Sequence, residues 1–129
     1  MPPGTVIPVL AYPDVAEAVA WLSAAFGFTL RLGIGDHRAQ LNAGDGAIVI
    51  TRGAVAGEPP GRDSIMVRVV DARAHCDRAA AHGATIAMPP TDFPYGERQY
   101  TAIDLSGRAW TFSETVADVD PRDWGGDPR

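Results

Sequence analysis

Residues 95–114, YGERQYTAIDLSGRAWTFSE, decide how the rest of the chain must fold. Residues 97–104 read as a strand, Leu105-Ser106-Gly107 as a tight turn, and residues 108–114 as a returning strand. Gly107 supplies the positive φ that so short a loop demands. Side chains alternate along a strand, so Trp110 and Phe112 share one face while Ala109, Thr111 and Ser113 share the other. The aromatic face needs a core, and the small polar face suits the lining of a cavity. One hairpin cannot bury its aromatic face alone, so the rest of the chain must supply strands and helices to cover it.

Working outward, the same grammar occurs twice. Residues 5–12 (TVIPVLAY) are rich in strand formers, and Pro8 among them points to an edge or a bulge. Asp14 follows as a helix N-cap, with Glu17 three residues on. Val15, Ala18, Val19, Leu22 and Phe26 then recur at helical spacing, widened by Trp21 and Ala25, until Gly27 ends the helix. Strand-like runs at 28–32, 37–42 and 47–52 are separated by glycines at hairpin positions. The Gly/Pro-rich residues 54–63 form a linker. A second strand at 64–70, a helix from the Asp71 cap to about His82, a strand from 85 to 88 and a loop over 89–96 lead back to the opening hairpin. The chain thus divides into a first module (1–53), the linker, a second module (64–115) and a tail (116–129). A repeated β-α-β-β-β order predicts an α+β fold of two tandem modules. The polar, Pro/Gly-rich tail reads as a frayed terminus, with Trp124 the one residue expected to dock.

Composition narrows the function. The 11 basic and 16 acidic residues leave a formal charge of −5, which argues against binding to a phosphate backbone. The single Cys76 excludes an internal disulfide and a multi-cysteine zinc site, and an inert buried thiol is expected. No apolar run reaches the ~20 residues of a membrane helix, and MPPGT has no signal-peptide character. The expectation is a cytoplasmic protein that binds neither nucleic acid nor membrane.

The strand–Asp14–helix–Phe26-Gly27-Phe28 opening, the strand–Asp71–helix–His82-Gly83-Ala84 repeat and the Asp104-Leu105-Ser106-Gly107-Arg108-Ala109-Trp110 corner together resemble the vicinal oxygen chelate superfamily. That superfamily holds glyoxalase I, extradiol dioxygenases and the bleomycin- and fosfomycin-resistance proteins. The likeness covers residues 5 to about 114, with Leu105-Ser106 standing where a Pro-acidic pair is usual. It implies mixed sheets curling around a cavity and a homodimer. It also implies four metal-ligand positions, which fall at Ile7, Val49, Ser64 and Thr111. Ile and Val cannot ligate a metal, and Ser and Thr hydroxyls are poor ligands for the divalent ions such sites use. The likeness is therefore to a metal-free, bleomycin-resistance-like member with no cofactor.

No other constellation replaces that site. His75 and His82 lie two turns apart on one helix and read as a solvated face, and His37 reads as an exposed loop histidine. No Ser/His/acid arrangement and no phosphate loop is present. Strand alternation places Ser64, Met66 and Arg68 on the cavity side, with Arg68 free to meet a ligand or to pair with Glu97, Asp104 or Glu114. The candidate ligand-binding residues are Ile7, Val9, Val49, Thr51, Ser64, Met66, Arg68, Gln99, Tyr100, Thr111 and Ser113, and alternation alone leaves the facing of Gln99 and Tyr100 open. Ala11 joins the expected lining. A mostly apolar wall with a few hydroxyls and one cation is the usual composition of an organic-ligand pocket. Two rivals stay open: a glyoxalase-like lyase or dioxygenase with displaced metal ligands, and metal-free acid–base catalysis by Glu97 or Glu114 beside Arg68.

Overall fold

The computed structural model describes residues 6–54, 57–58, 60–61 and 63–126. Strand β1 (Val9–Tyr12) leads through the Asp14 cap into helix α1 (Val15–Phe26), followed by β2 (Thr29–Ile34), β3 (Arg38–Ala43) and β4 (Gly46–Arg52). The order then repeats as β5 (Ile65–Arg68), α2 (Ala72–Ala81), β6 (Thr85–Asp92), β7 (Glu97–Ile103) and β8 (Ala109–Thr115). The sheets are ordered β1-β4-β3-β2 and β5-β8-β7-β6, each with one parallel pair, formed by the first and last strands of its module. Two βαβββ modules in an α+β fold are what the repeated grammar predicts.

The caps explain where each helix begins. The Asp14 carboxylate accepts the Glu17 amide at 3.0 Å, and Asp71 accepts the Ala74 amide at 3.1 Å. Gly27 closes α1 at φ +79°, a left-handed position open to a residue without Cβ. No basic residue stands in the last turn of α1, and Arg78 of α2 takes that role instead. Its Nε donates to the Ala24 carbonyl at 2.8 Å, placing a cation at the negative end of the α1 dipole. The Trp21 indole returns the tie by donating to the His82 carbonyl at 3.0 Å.

The core runs through both modules as one continuous cluster. Phe26 sits 5.5 Å from Trp110 and 4.8 Å from Phe112, and both of those rings are fully buried. Burying a side chain of this size contributes about 1.5–3 kcal/mol. The same helix-facing side holds Leu10, Tyr12, Leu41, Ile50 and Tyr100.

Two expected boundaries move. Strand β1 starts at Val9, with residues 6–8 outside it and residue 5 outside the described residues: Pro8 has no N–H to donate, although its carbonyl still accepts the Val49 amide at 2.9 Å. Strand β6 runs on to Asp92 through Pro89-Pro90, where a loop is expected from the sequence. It can do so because β6 is an edge strand whose register shifts around the proline pair, so no ladder hydrogen bond is lost to a neighbour on its outer side. The tail is also not simply frayed: residues 121–124 form a 3₁₀ turn that seats Trp124 against Tyr95.

Candidate functional site: the open sheet faces

Each sheet turns one face to the helices, and among the described residues no helix covers the other, although Val49, Gln40, Gln99 and Ser113 on it are themselves buried. In the first sheet, Val9, Val49, Gln40 and Leu32 are cross-strand neighbours, as are Ala11, Thr51, Arg38 and Ile34. Their alternates Leu10, Ile50 and Ala39 are in the core, so these eight residues form the open face. Val9 is 55% exposed, Leu32 45% and Ile34 40%, apolar surface left uncovered among the described residues. Arg31 donates to the Gln40 carboxamide, which orients that polar group beside the apolar residues of this face.

The second open face is more polar. Met66 pairs with Thr111, and Arg68 pairs with Ser113, which faces Gln99 across the hairpin. The Gln99 Nε2 donates to Ser113 Oγ at 3.1 Å, and that hydroxyl donates to Glu97 Oε1 at 2.8 Å. Arg68 Nη1 lies 3.8 Å from Glu97 and donates to the Thr115 hydroxyl. Thr101 and Thr111 share a hydrogen bond of 3.1 Å. Met66, Arg68, Glu97, Gln99 and Ser113 line a cavity of about 490 Å³ in this face. Of the three carboxylates open to Arg68 in the sequence reading, Glu97 is the one it meets. Asp104 is enclosed elsewhere, and Glu114 accepts the Ala72 amide at 2.9 Å.

The candidate residues separate by face. Val9, Val49 and Thr51 lie on the first open face; Met66, Arg68, Gln99, Thr111 and Ser113 lie on the second. Ile7 and Ser64 precede their strands. Tyr100 does not belong with them. It pairs with Phe112 on the helix-facing side, is fully buried, and packs on the Phe112 ring at 5.2 Å. Its register was recoverable: the Asp104–Gly107 turn sets Tyr100 opposite Phe112, and residues directly opposite share a face.

His75 departs from the solvated position expected of it. One ring nitrogen, Nε2, lies 2.8 Å from the Phe26 carbonyl, and Nδ1 meets the Tyr100 hydroxyl. A carbonyl can only accept, so the proton sits on Nε2 and Nδ1 accepts from the phenol. Burial holds His75 below its ordinary pKa, opposed by the Phe26 bond and assisted by the Arg78 charge. Burial likewise raises the Tyr100 and Cys76 pKa values. Tyr100 and Cys76 lie in the core, and His75 is half-buried at its edge, on the helix side of the second sheet.

A larger cleft of about 780 Å³ lies elsewhere, between the linker, the start of α1 and the Leu105–Arg108 turn. Ala11 is the one expected lining residue it touches. Its floor is a structural junction. Asp104 accepts the Tyr12 hydroxyl at 2.6 Å and the Trp110 indole at 3.0 Å, while Arg108 stacks over the Tyr12 ring at 5.5 Å. Those side chains tie the modules together, and among the described residues Arg108 Nε is buried there without a hydrogen-bond partner; the second open face instead carries a polar array whose members are already oriented by one another.

The superfamily's metal does not fit the donors present. Val49 is apolar, Thr111 is bonded to Thr101, and Ile7 and Ser64 stand at the other two inherited positions. Among the described residues no three His, Cys, Asp or Glu side chains converge elsewhere. Among the described residues, too, no helix is long and apolar enough to cross a membrane.

Paired βαβββ modules with open, cavity-bearing sheet faces define a class of scaffold that hosts several chemistries. Residues 6–112 match the Glyoxalase/Bleomycin resistance protein/Dioxygenase superfamily, and the chain belongs to it. No curated protein matches the chain. Among solved structures, TioX from Micromonospora sp. ML1 is 36% identical, with a TM-score of 0.73 over 88% of this chain and 100% of that one. The bleomycin-binding protein of bleomycin-producing Streptomyces verticillus, solved with copper(II)-bleomycin, is 22% identical over 84% of this chain and 93% of its own, TM-score 0.64. The fosfomycin resistance protein FosX from Mesorhizobium loti is 17% identical over 88% and 93%, TM-score 0.67. The last two likenesses establish the fold alone.

Proposed function

We propose that this chain is a metal-independent binding protein that holds a small organic molecule against its open sheet faces. The observation that carries this reading is the Arg68–Glu97–Ser113–Gln99 array, which surrounds a cavity beside apolar Met66 with oriented donors and acceptors. Burial of apolar ligand surface would provide the affinity, and the polar array would set the orientation. The absence of His, Glu or Asp from the four inherited ligand positions supports binding without a metal. The bleomycin-binding protein shows that the same scaffold serves to hold an antibiotic, and sequestering an antibiotic is one use proposed for this chain.

The site is completed by a second copy. Within one chain the modules meet through their helices and through the Tyr12–Asp104 junction, so neither open face covers the other. A homodimer that lays the apolar first face of one protomer over the polar second face of its partner would bury both. It would also enclose the cavity.

Calorimetric titration of chelator-stripped protein with Ni²⁺, Zn²⁺, Mn²⁺ and anaerobic Fe²⁺ tests the reading. No stoichiometric binding is expected. Tight binding of one ion per site, lost on truncating open-face residues, would overturn it in favour of a lyase or dioxygenase with displaced ligands. A screen of aromatic and cationic natural products then identifies the ligand.

A further inference from the structure

The C-terminal segment is built onto the end of the second open face. The amides of Val116 and Ala117 both donate to the Gly96 carbonyl, at 2.9 and 3.2 Å. Gly96 holds φ +85°, and a Cβ there would overlap the Ala117 carbonyl, so this close approach requires glycine. The chain then turns through Pro121–Trp124, started by the Asp120 side chain accepting the Arg122 amide at 3.0 Å. That turn brings the Trp124 indole edge-on to Tyr95, with centroids 5.5 Å apart. Tyr95 stacks on Phe93 at 5.3 Å and 13°. The Tyr95 hydroxyl donates to Gln99 Oε1 at 3.2 Å, and Gln99 lines the cavity. The aromatic trio therefore begins where the polar array ends.

Trp124 packs edge-on to Tyr95 and still presents 40% of its surface to solvent, a large accessible aromatic area beside the cavity. The hydrophobic core is complete without it, since Trp110 and Phe112 are already fully enclosed. We infer that Phe93, Tyr95 and Trp124 form an aromatic wall of the ligand site, and that its ligands carry a planar aromatic group. The ring of the ligand stacks on the wall, and a hydrogen-bonding arm reaches Gln99 and Ser113. Offset and edge-to-face packing of ring quadrupoles favours a planar ring over a saturated one of the same size. This rests on the open face being a ligand site.

Two neutral probes separate stacking from simple burial: 2-naphthylmethanol and its saturated counterpart, decahydro-2-naphthylmethanol. The full ¹⁵N-labelled chain is titrated with each, and NMR follows the Trp124 indole N–H and the Gln99 side-chain amide. Naphthylmethanol is expected to shift both signals along one saturation curve. Trp124→Leu should weaken it about fivefold and the saturated probe less than twofold, while Trp124→Phe restores most of the loss. Circular dichroism of each variant confirms that the helices persist. A shift at Gln99 without one at Trp124, or equal loss of both probes in Trp124→Leu, overturns the wall and leaves the binding reading intact. A shift at Trp124 alone overturns it as well, since the aromatic cluster would then be separate from the cavity. No shift at either position overturns the wall together with the reading on which it rests.

Discussion

Asp104 divides its carboxylate between the turn and the core. Oδ1 accepts the amides of Ser106 and Arg108, at 2.9 and 3.0 Å, and Oδ2 accepts the Tyr12 hydroxyl and the Trp110 indole. Burial, followed by the negative charge of Asp104, pushes the Tyr12 phenol far above its ordinary pKa, so it remains a donor throughout the working range. Asp104→Ala strands four donors, two of them buried, and is expected to lower stability by about 3–4 kcal/mol in urea unfolding, whereas Tyr12→Phe removes one and costs about 1–2. His75 makes stability depend on pH with a definite sign. Its folded-state pKa lies below the unfolded value of about 6.5, so the unfolded chain takes up the proton first as pH falls. Stability is complete above that value and declines beneath it. Unfolding titrations between pH 7 and 5 should show this slope in the native chain and a flatter one in His75→Gln.

At the scale of elements, the tail strap depends on one position. Gly96→Ala forces a Cβ against the Ala117 carbonyl and a strained φ on an L residue. The strap is expected to detach while the modules stay folded. Acrylamide quenching of tryptophan fluorescence should then rise, because Trp124 leaves Tyr95 while Trp110 stays enclosed, and the helical circular dichroism should be unchanged. Strand β6 illustrates a different limit. Two consecutive prolines signal a loop when only chain neighbours are considered, yet an edge strand with a shifting register accommodates them. Whether a strand lies at an edge is decided by the order of the whole sheet, not by its own residues.

For the whole molecule, the exposed apolar residues of the first open face predict association. Sedimentation velocity is expected to show a dimer that dissociates on dilution, and Leu32→Lys should shift it to monomer with little loss of monomer stability. A native chain that stays monomeric at all concentrations would count against closure of the cavity by a second copy. The elements themselves were legible in the sequence because their signals are local. Asp14, Asp71, Gly27 and Gly107 act within about four residues of themselves, and alternation from Trp110 and Phe112 marks the core face of the last strand. Arg68, Met66, Thr111 and Ser113 were legible as an open face for the same reason, whereas alternation alone left the facing of Gln99 open. Tertiary structure alone decided the interior role of His75, the choice of Glu97 as the partner of Arg68, and the seating of Trp124 on Tyr95. Those contacts join residues 25 to 49 positions apart in sequence, and only the packing of α1, α2 and the two sheets brings them together.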